Sequence, residues 1–132
     1  MSIAWLDTPA LLLGHRIGLA RFGGADGIRD PGGLESALAR PINKHNLGGV
    51  TDICELAAAY GFGIVKNHPF VDGNKRAALT AVLAFLGRNG FHLKAPPVEL
   101  GVIMTGLAAS HVSEDAFADW LKRYAVPQDA NG

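Results

Sequence analysis

The chain has little of what would place it in several common protein classes. Its 132 residues include one cysteine, Cys54, and equal numbers of acidic and basic side chains. A lone cysteine forms no internal disulfide, so we expect Cys54 to be a core thiol and the protein to be cytoplasmic. A formal net charge of zero argues against broad electrostatic binding of nucleic acid or of an anionic membrane.

Long apolar runs and several familiar site motifs are also missing. No apolar stretch reaches the ~18 residues that a membrane-spanning helix needs, and the N-terminus lacks the features of a signal peptide. There is no His-Glu-x-x-His or Cys-x-x-Cys pair, and the histidines lack metal-ligand spacing, which argues against a zinc site. Residues 61–66 lack the third glycine of a dinucleotide-binding fingerprint, and no Gly-x-Ser-x-Gly nucleophile elbow occurs.

The composition and the spacing of apolar residues predict one all-α domain. Hydrophobic residues make up 48% of the chain, which is enough for a core. We expect a compact bundle of about six helices over residues 1–132, with its core at about 8–125 and a flexible tail at 126–132. No convincing strand pair is visible, and residues 91–94 suggest a short extended link. Caps and breakers predict helices at Thr8 to Phe22, Asp30 to Pro41, Thr51 to Asn67, Gly73 to Asn89, from Pro97 and from Ser113.

Apolar periodicity predicts which face of each helix is buried. The fourth helix is apolar nearly all round, so we expect it to be the buried central helix. His15, in the middle of the first helix, is expected at the surface or partly buried. The predicted inward residues are Leu13, Ile17 and Ala20 in the first helix, Val98, Val102 and Leu107 in the fifth, and Phe117, Trp120, Leu121 and Tyr124 in the sixth.

The densest group of reactive side chains lies between the third and fourth helices, where residues 68–76 are His-Pro-Phe-Val-Asp-Gly-Asn-Lys-Arg. Pro69 disfavours helical conformation in the residue before it, so we expect the third helix to end at His68. Asp72 is then placed to cap a new helix whose first turn is residues 73–76. The unpaired N–H groups and the partial positive charge of such a turn favour an anion.

The residue types in that first turn indicate a phosphate site. Gly73 allows a ligand to approach the backbone, and Lys75 and Arg76 add two positive charges beside it. Asn74 is expected to orient either the phosphate or the loop. The segment therefore predicts phosphate binding by Gly73, Asn74, Lys75 and Arg76.

Two further side chains give this site a possible chemistry. Asp72 lies at the rim, where its carboxylate suits Mg²⁺ held against phosphate oxygens. His68 lies in the preceding loop, where it suits a general base. The same residues also suit an ordinary turn and helix cap, so the residue types leave a purely structural role open.

The nine-residue segment resembles the signature of the Fic/Doc superfamily, His-x-Phe-x-Asp/Asn-Gly/Ala-Asn-Lys/Gly-Arg. Because Lys75 precedes Arg76, the segment resembles the death-on-curing (Doc) toxin branch of that superfamily. Residues 27–41 and 84–90 resemble two further blocks of that branch, in the right order. The resemblance covers roughly residues 8–125.

This resemblance implies the Fic fold and a Doc-type protein Ser/Thr kinase that uses ATP and Mg²⁺. It implies that His68, Asp72, Lys75 and Arg76 are catalytic, with Asp72 as the metal ligand. It further implies a toxin of a toxin–antitoxin module that phosphorylates elongation factor Tu and arrests translation. Its partners would be that factor and an antitoxin covering the site, with no direct nucleic-acid or membrane partner.

Two alternatives to the kinase remain open. Fic enzymes that transfer AMP usually carry Gly where Lys75 stands and a second Arg where Leu79 stands, which favours phosphate transfer here. Gly73, however, is typical of AMP-transferring members. The second alternative is a non-catalytic Fic-fold binding module. Four intact residues of the motif argue against it: His68, Asp72, Asn74 and Arg76.

Many Fic proteins carry an internal inhibitory pattern, Ser/Thr-x-x-x-Glu-Gly/Asn. In this sequence Glu55, four residues after Thr51, is followed by Leu56, and Glu114, four residues after Ser110, is followed by Asp115. Neither completes the pattern, so we expect inhibition to come from another chain.

Overall fold

A computed structural model describes residues 2–128 as a helical bundle with one very small sheet. The all-α prediction with about six helices is confirmed. In chain order the described part contains α1 (Thr8–Phe22), α2 (Pro31–Asn46), α3 (Ile53–Asn67), α4 (Asn74–Arg88), β1 (Phe91–Leu93), α5 (Pro97–Ala108), α6 (Glu114–Tyr124) and β2 (Ala125–Pro127).

Helices α3 and α4 form the centre of the bundle. α3 packs against α2, α4 and α6, while α4 also contacts α1. Glycine permits one close approach of the α3 and α2 backbones, since a Cβ on Gly63 would lie 3.1 Å from the Cα of Ala37 in α2. The predicted burial of α4 is confirmed by Ala77, Ala78, Ala81, Val82, Phe85 and Leu86. The N-terminus of α4 is therefore held by the core.

Several predicted helix boundaries are wrong by one residue or more. Pro41 does not end α2, which continues through it to Asn46 with Pro41 fully buried. A proline costs a helix one hydrogen bond, and here packing against the core outweighs that cost. α1 and α3 are capped by Asp7 and Asp52, whose carboxylates accept from the backbone N–H groups of residues 10 and 55. Thr8 therefore lies inside α1, and Thr51 lies before the cap of α3.

The predicted inward face of α1 is wrong. Leu13 is 60% exposed, Ile17 is 51% exposed, and Ala20 is exposed as well. The buried residues of α1 are Leu11 and His15. Apolar periodicity failed here because α1 approaches α4 through small and polar side chains, which carry no hydrophobic signal.

The other predicted faces divide between the two C-terminal helices. In α5, Val98 and Val102 are exposed, while Leu107 is buried as predicted and Met104 is buried with it. In α6, Phe117, Trp120 and Leu121 are buried as predicted. Tyr124 is partly buried and donates its hydroxyl hydrogen to Glu99 at 2.8 Å.

A two-stranded antiparallel sheet joins the ends of α4 and α6. β1 pairs with β2 in the register Phe91 with Pro127 and Leu93 with Ala125. Gln128 extends the contact by donating its N–H to the carbonyl of Gly90 at 2.8 Å. Residues 126–127, in the part predicted as a flexible tail, thus belong to a strand that Gln128 extends, and residues 129–132 lie outside the described part. Strands of three residues are too short for alternation to reveal.

Two further predictions concern the role of the Cys54 thiol and the absence of a membrane-spanning helix. Burial raises the pKa of the Cys54 thiol to about 11, and the charges of Asp52 and Glu55 add to that effect. A thiol with that pKa stays protonated at neutral pH, which agrees with the predicted core role. Between residues 2 and 128, no helix is long and apolar enough to cross a membrane.

Candidate functional site

The C-terminus of α3 presents His68 in an uncommon backbone conformation. α3 ends at Asn67, as Pro69 predicted, and His68 follows in the left-handed region with φ 50° and ψ 53°. Arg29 stabilises this end, because its guanidinium donates to the carbonyls of His68 at 2.8 Å and of Asn67 at 3.0 Å. The backbone that carries the His68 imidazole is therefore held by a side chain distant in sequence.

The loop after His68 is attached to the segment before α2. The carbonyl of Pro69 accepts from the N–H groups of Arg29 at 2.7 Å and Asp30 at 3.0 Å. The N–H of Val71 donates to the carbonyl of Gly27 at 3.0 Å, and Phe70 is fully buried beneath. This pairing joins residues 27–30 directly to the loop that carries the motif.

The start of α4 differs from the prediction. The N-cap is Gly73, with φ 76°, and no side chain caps the helix. The Asp72 carboxylate instead accepts from the N–H of Gly73 at 2.8 Å and from the N–H of Ala25 at 3.3 Å. The expected cap by Asp72 is wrong because left-handed Gly73, inserted before the helix, turns the carboxylate away. The first-turn N–H groups of α4 therefore have no side-chain acceptor.

The Asn74 side chain hydrogen-bonds to the backbone of the loop that precedes α4. Its Oδ1 accepts from the N–H of Phe70 at 3.0 Å, and its Nδ2 donates to the carbonyl of Phe70 at 2.9 Å. These two contacts fix which amide atom is nitrogen, so Nδ2 also donates to Nδ1 of His68 at 2.9 Å. In the neutral imidazole the ring hydrogen then lies on Nε2. The Asn74 side chain holds the loop, which leaves its backbone N–H for a ligand.

His15 is a buried residue in contact with the site loop that the apolar pattern missed. It is 6% exposed, whereas we expected it at the surface or partly buried. Its Nε2 donates to the carbonyl of Asp72 at 2.8 Å, and its ring stacks on Phe70 with centroids 3.8 Å apart. The available signal was its position between Gly14 and Gly18, which indicates a face of α1 that approaches another helix closely.

All the predicted site residues border one pocket of about 360 Å³. His68, Asp72, Lys75 and Arg76 are exposed, while Asn74 is buried. The apolar part of the wall comes from Val65 and Ala108, which sequence reasoning did not identify. An uncapped helix N-terminus beside two cations attracts an anion, and a carboxylate and an imidazole lie on the same pocket. The lining residues are Val65, His68, Asp72, Gly73, Asn74, Lys75, Arg76 and Ala108.

The residues present fit a magnesium ion shared with a phosphate. Nowhere in residues 2–128 do three or more His, Cys, Asp or Glu side chains cluster as a metal site. Mg²⁺ is commonly held by one or two carboxylates together with substrate phosphates and water, and Asp72 offers one exposed carboxylate to the pocket. A site that depends on phosphate for its other ligands therefore suits this donor set.

Comparison with known proteins agrees with this geometry. Residues 5–86, more than half of the chain, match the Fic/DOC family. The chain is 35% identical to "Protein kinase doc" of Escherichia phage P1 over 118 residues, which cover 89% of this chain and 93% of that protein. It is 39% identical to "Toxin Doc" of Mycolicibacterium smegmatis over 79 residues, covering 59% of this chain and 61% of that protein. The chain belongs to the Fic/DOC family, and within it to the Doc branch.

Proposed function

We propose that this protein is a Doc-type toxin that transfers the γ-phosphate of ATP to a Ser or Thr hydroxyl of another protein. The target we propose is elongation factor Tu, whose modification would arrest translation. The names of the two relatives, a protein kinase and a toxin, support the kinase and toxin activities.

One observation carries the proposal. His68 shares a pocket of about 360 Å³ with the uncapped start of α4 and with Lys75 and Arg76. Phosphoryl transfer needs little covalent chemistry from a protein, because it depends on positioning and on stabilising charge around the phosphate. Backbone N–H groups and cations at one helix start meet that need, and a base beside them meets the need of the nucleophile.

In the proposed reaction the target hydroxyl oxygen attacks the γ-phosphorus and the bond to the β,γ-bridging oxygen breaks, which releases ADP. The backbone N–H of Asn74, and that of Gly73 once it leaves the Asp72 carboxylate, neutralise negative charge on the phosphate oxygens together with Lys75 and Arg76. The Asp72 carboxylate would hold Mg²⁺, which would supply further positive charge to the phosphate oxygens.

His68 receives the hydroxyl proton. Asn74 donates to Nδ1, so Nε2 already bears the ring hydrogen in the neutral form. The proton therefore goes to Nδ1, and the hydrogen bond from Asn74 to that nitrogen is released in the same step. Because His68 is exposed, its ring can turn away from Asn74 while the Asn74 amide remains bound to Phe70.

Two positions favour phosphate transfer over AMP transfer. Lys75 places a long cationic side chain on the pocket where AMP-transferring Fic enzymes usually have glycine. Leu79, where those enzymes place a second arginine, is partly buried and packs against the core. A nucleotide bound for AMP transfer would lose that charge-assisted contact, which is generally worth about 1.5–3 kcal/mol.

The partner we propose is an antitoxin whose tail lies over the pocket. The motivation is an open site combined with the incomplete inhibitory patterns at Thr51 and Ser110. Co-expression of the antitoxin should relieve growth arrest, and binding should protect amides around His68 from hydrogen exchange. Growth arrest that persists at a saturating antitoxin level, with no protection near His68, would contradict this part of the proposal.

The test of the reaction is one incubation of protein, Mg²⁺ and elongation factor Tu with ATP labelled separately at the α- and the γ-phosphate. We expect the γ-label alone to appear on the target. Transfer of the α-label would establish AMP transfer instead, the alternative that Gly73 favours. If neither label is transferred to elongation factor Tu or to proteins of a cell extract, the chain is a non-catalytic binding module.

A further inference from the structure

The Arg76 side chain lies along a groove on α1. Its Cδ is 3.1 Å from the position that a Cβ on Gly18 would occupy. Its guanidinium carbon lies 4.2 Å from the centroid of the Phe22 ring. Gly18 and Phe22 are four residues apart and so lie on one face of α1. Because Gly18 has no side chain, it leaves room for the stem of Arg76, and the ring of Phe22 contacts the Arg76 guanidinium.

This contact matters because, among residues 2–128, no carboxylate pairs with Arg76. Within residues 2–128 the ion pairs join Arg40 and Lys44 to Glu114 and Lys122 to Glu55, and none includes Arg76. An arginine over an aromatic face keeps its N–H donors while losing much of its rotational freedom. Arg76 is thus restrained before an anion arrives, without its charge being neutralised.

The same face of α1 holds the other side of the pocket. His15 lies three residues before Gly18, and its Nε2 donates to the carbonyl of Asp72 at 2.8 Å. A Cβ on Gly73 would lie 3.5 Å from that nitrogen, so His15 contacts the left-handed residue that leaves α4 uncapped. One face of α1 therefore contacts both the backbone at Asp72 and the side chain of Arg76.

We propose that His15, Gly18 and Phe22 are positioning residues for the phosphate site, with His15 fixing the backbone at Asp72 and Gly18 and Phe22 fixing Arg76. This inference rests on the proposed function, because it assigns α1 a role in binding the triphosphate. It also explains why α1 turns exposed Leu13 and Ile17 outward: the inward face is used for the site.

The test compares Phe22→Leu, Phe22→Tyr and Gly18→Ala with the wild-type full chain, using Mg–ATP as the probe. Loss of an exposed cation–aromatic contact should raise the Kd for Mg–ATP roughly two- to fivefold in Phe22→Leu, and Phe22→Tyr should restore it. Gly18→Ala should raise the Kd as well, although alanine favours the helix and should leave the melting temperature unchanged or higher. The KM for ATP should rise with the Kd, while kcat changes less.

Gly101→Ala is the matched control, since a Cβ at this α5 position meets nothing within 4 Å. It should leave ATP affinity unchanged. A second readout needs no nucleotide: side-chain protons of Arg76 should show an aromatic ring-current shift in the wild type that disappears in Phe22→Leu.

The two proposals fail in different ways. Equal ATP affinity in the wild type, Phe22→Leu and Gly18→Ala would overturn this inference and leave the kinase in place. ATP binding that depends on Phe22, with no transfer of either label, would overturn the kinase and support the positioning role. Wild-type protein that binds no Mg–ATP would overturn both.

Discussion

The N-termini of α2 and α4 differ in their caps, although an aspartate precedes both. Each helix follows an aspartate, Asp30 in one case and Asp72 in the other. Asp30 caps α2 by accepting from the N–H of Gly33 at 2.9 Å. Asp72 does not cap α4, where left-handed Gly73 intervenes and the carboxylate accepts from Gly73 and Ala25 instead.

The difference shows how one residue separates a structural helix start from a binding site. A side-chain cap binds one of the free N–H groups at a helix start, whereas an uncapped start offers all of them, with the helix dipole, to an external anion. At α4 the chain also places Lys75 and Arg76 on the pocket. At α2 the first turn contains no charged side chain before Glu35.

The largest effect on activity is expected at His68, the proposed base beside the uncapped start of α4. Replacing His68 with alanine should reduce phosphate transfer by about 10²–10⁴-fold, the usual contribution of a general base. The melting temperature should hardly change, because the imidazole is exposed. His92→Ala removes another exposed histidine, in β1, and should leave transfer intact. Near-wild-type turnover in His68→Ala would remove His68 from the mechanism.

The two aspartates should separate activity from stability. Asp72→Ala removes the proposed Mg²⁺ ligand and should lower activity by at least the roughly 10–100-fold typical of a disturbed metal site. Asp30→Ala removes a true N-cap and should lower the free energy of unfolding by about 0.5–2 kcal/mol. Urea unfolding and initial rates of transfer, measured on both variants, check this. The contrast breaks if Asp72→Ala is the less stable protein and Asp30→Ala the less active one.

A smaller effect on stability is expected at the N-terminus of α6, where the carboxylate of Glu114 pairs with a cation of the same chain. Ser113 caps it, and its first residue, Glu114, accepts from Arg40 at 2.6 Å. Burial opposes ionisation of Glu114, but the hydrogen bond and charge of Arg40, together with Lys44, hold the pKa of this carboxyl below its usual value.

Glu114→Gln should therefore lower the free energy of unfolding by about 0.5–1 kcal/mol at neutral pH, since Arg40 stays partly in water. A lowered folded-state pKa stabilises the fold above the unfolded-state pKa, and this contribution disappears as the pH falls through the folded-state value. The difference between wild type and variant should accordingly vanish in acid, as pH-dependent urea unfolding would reveal. A difference that stays constant down to acid pH would contradict the assigned cause.

How far the sequence predicted the molecule depended on the kind of signal at each position. α6 was predicted well because its buried face is continuously apolar, from Phe117 to Leu121. α1 was predicted badly because its inward face carries His15 and Gly18 rather than large apolar side chains. The stem of Arg76, from α4, covers Gly18. Periodicity detects burial of apolar surface and is blind to a face chosen for close approach.

The site shows the same division. Every predicted site residue borders one pocket, because the motif is contiguous and its chemistry is local. The contributions of Arg29, His15 and Phe22 come from segments 39 or more residues away, and their contacts depend on tertiary packing. The cap at α4 was mispredicted because Asp before a helix usually caps it, and only the backbone conformation of Gly73 decides otherwise.

Amide chemical shifts during titration with Mg–ATP test whether the uncapped start of α4 is the phosphate site. We expect saturable shifts at the N–H groups of residues 73–76, while those of residues 32–34 at the capped start of α2 stay unchanged. Equal shifts at both helix starts, or none at residues 73–76 when ATP is bound, would rule out this assignment.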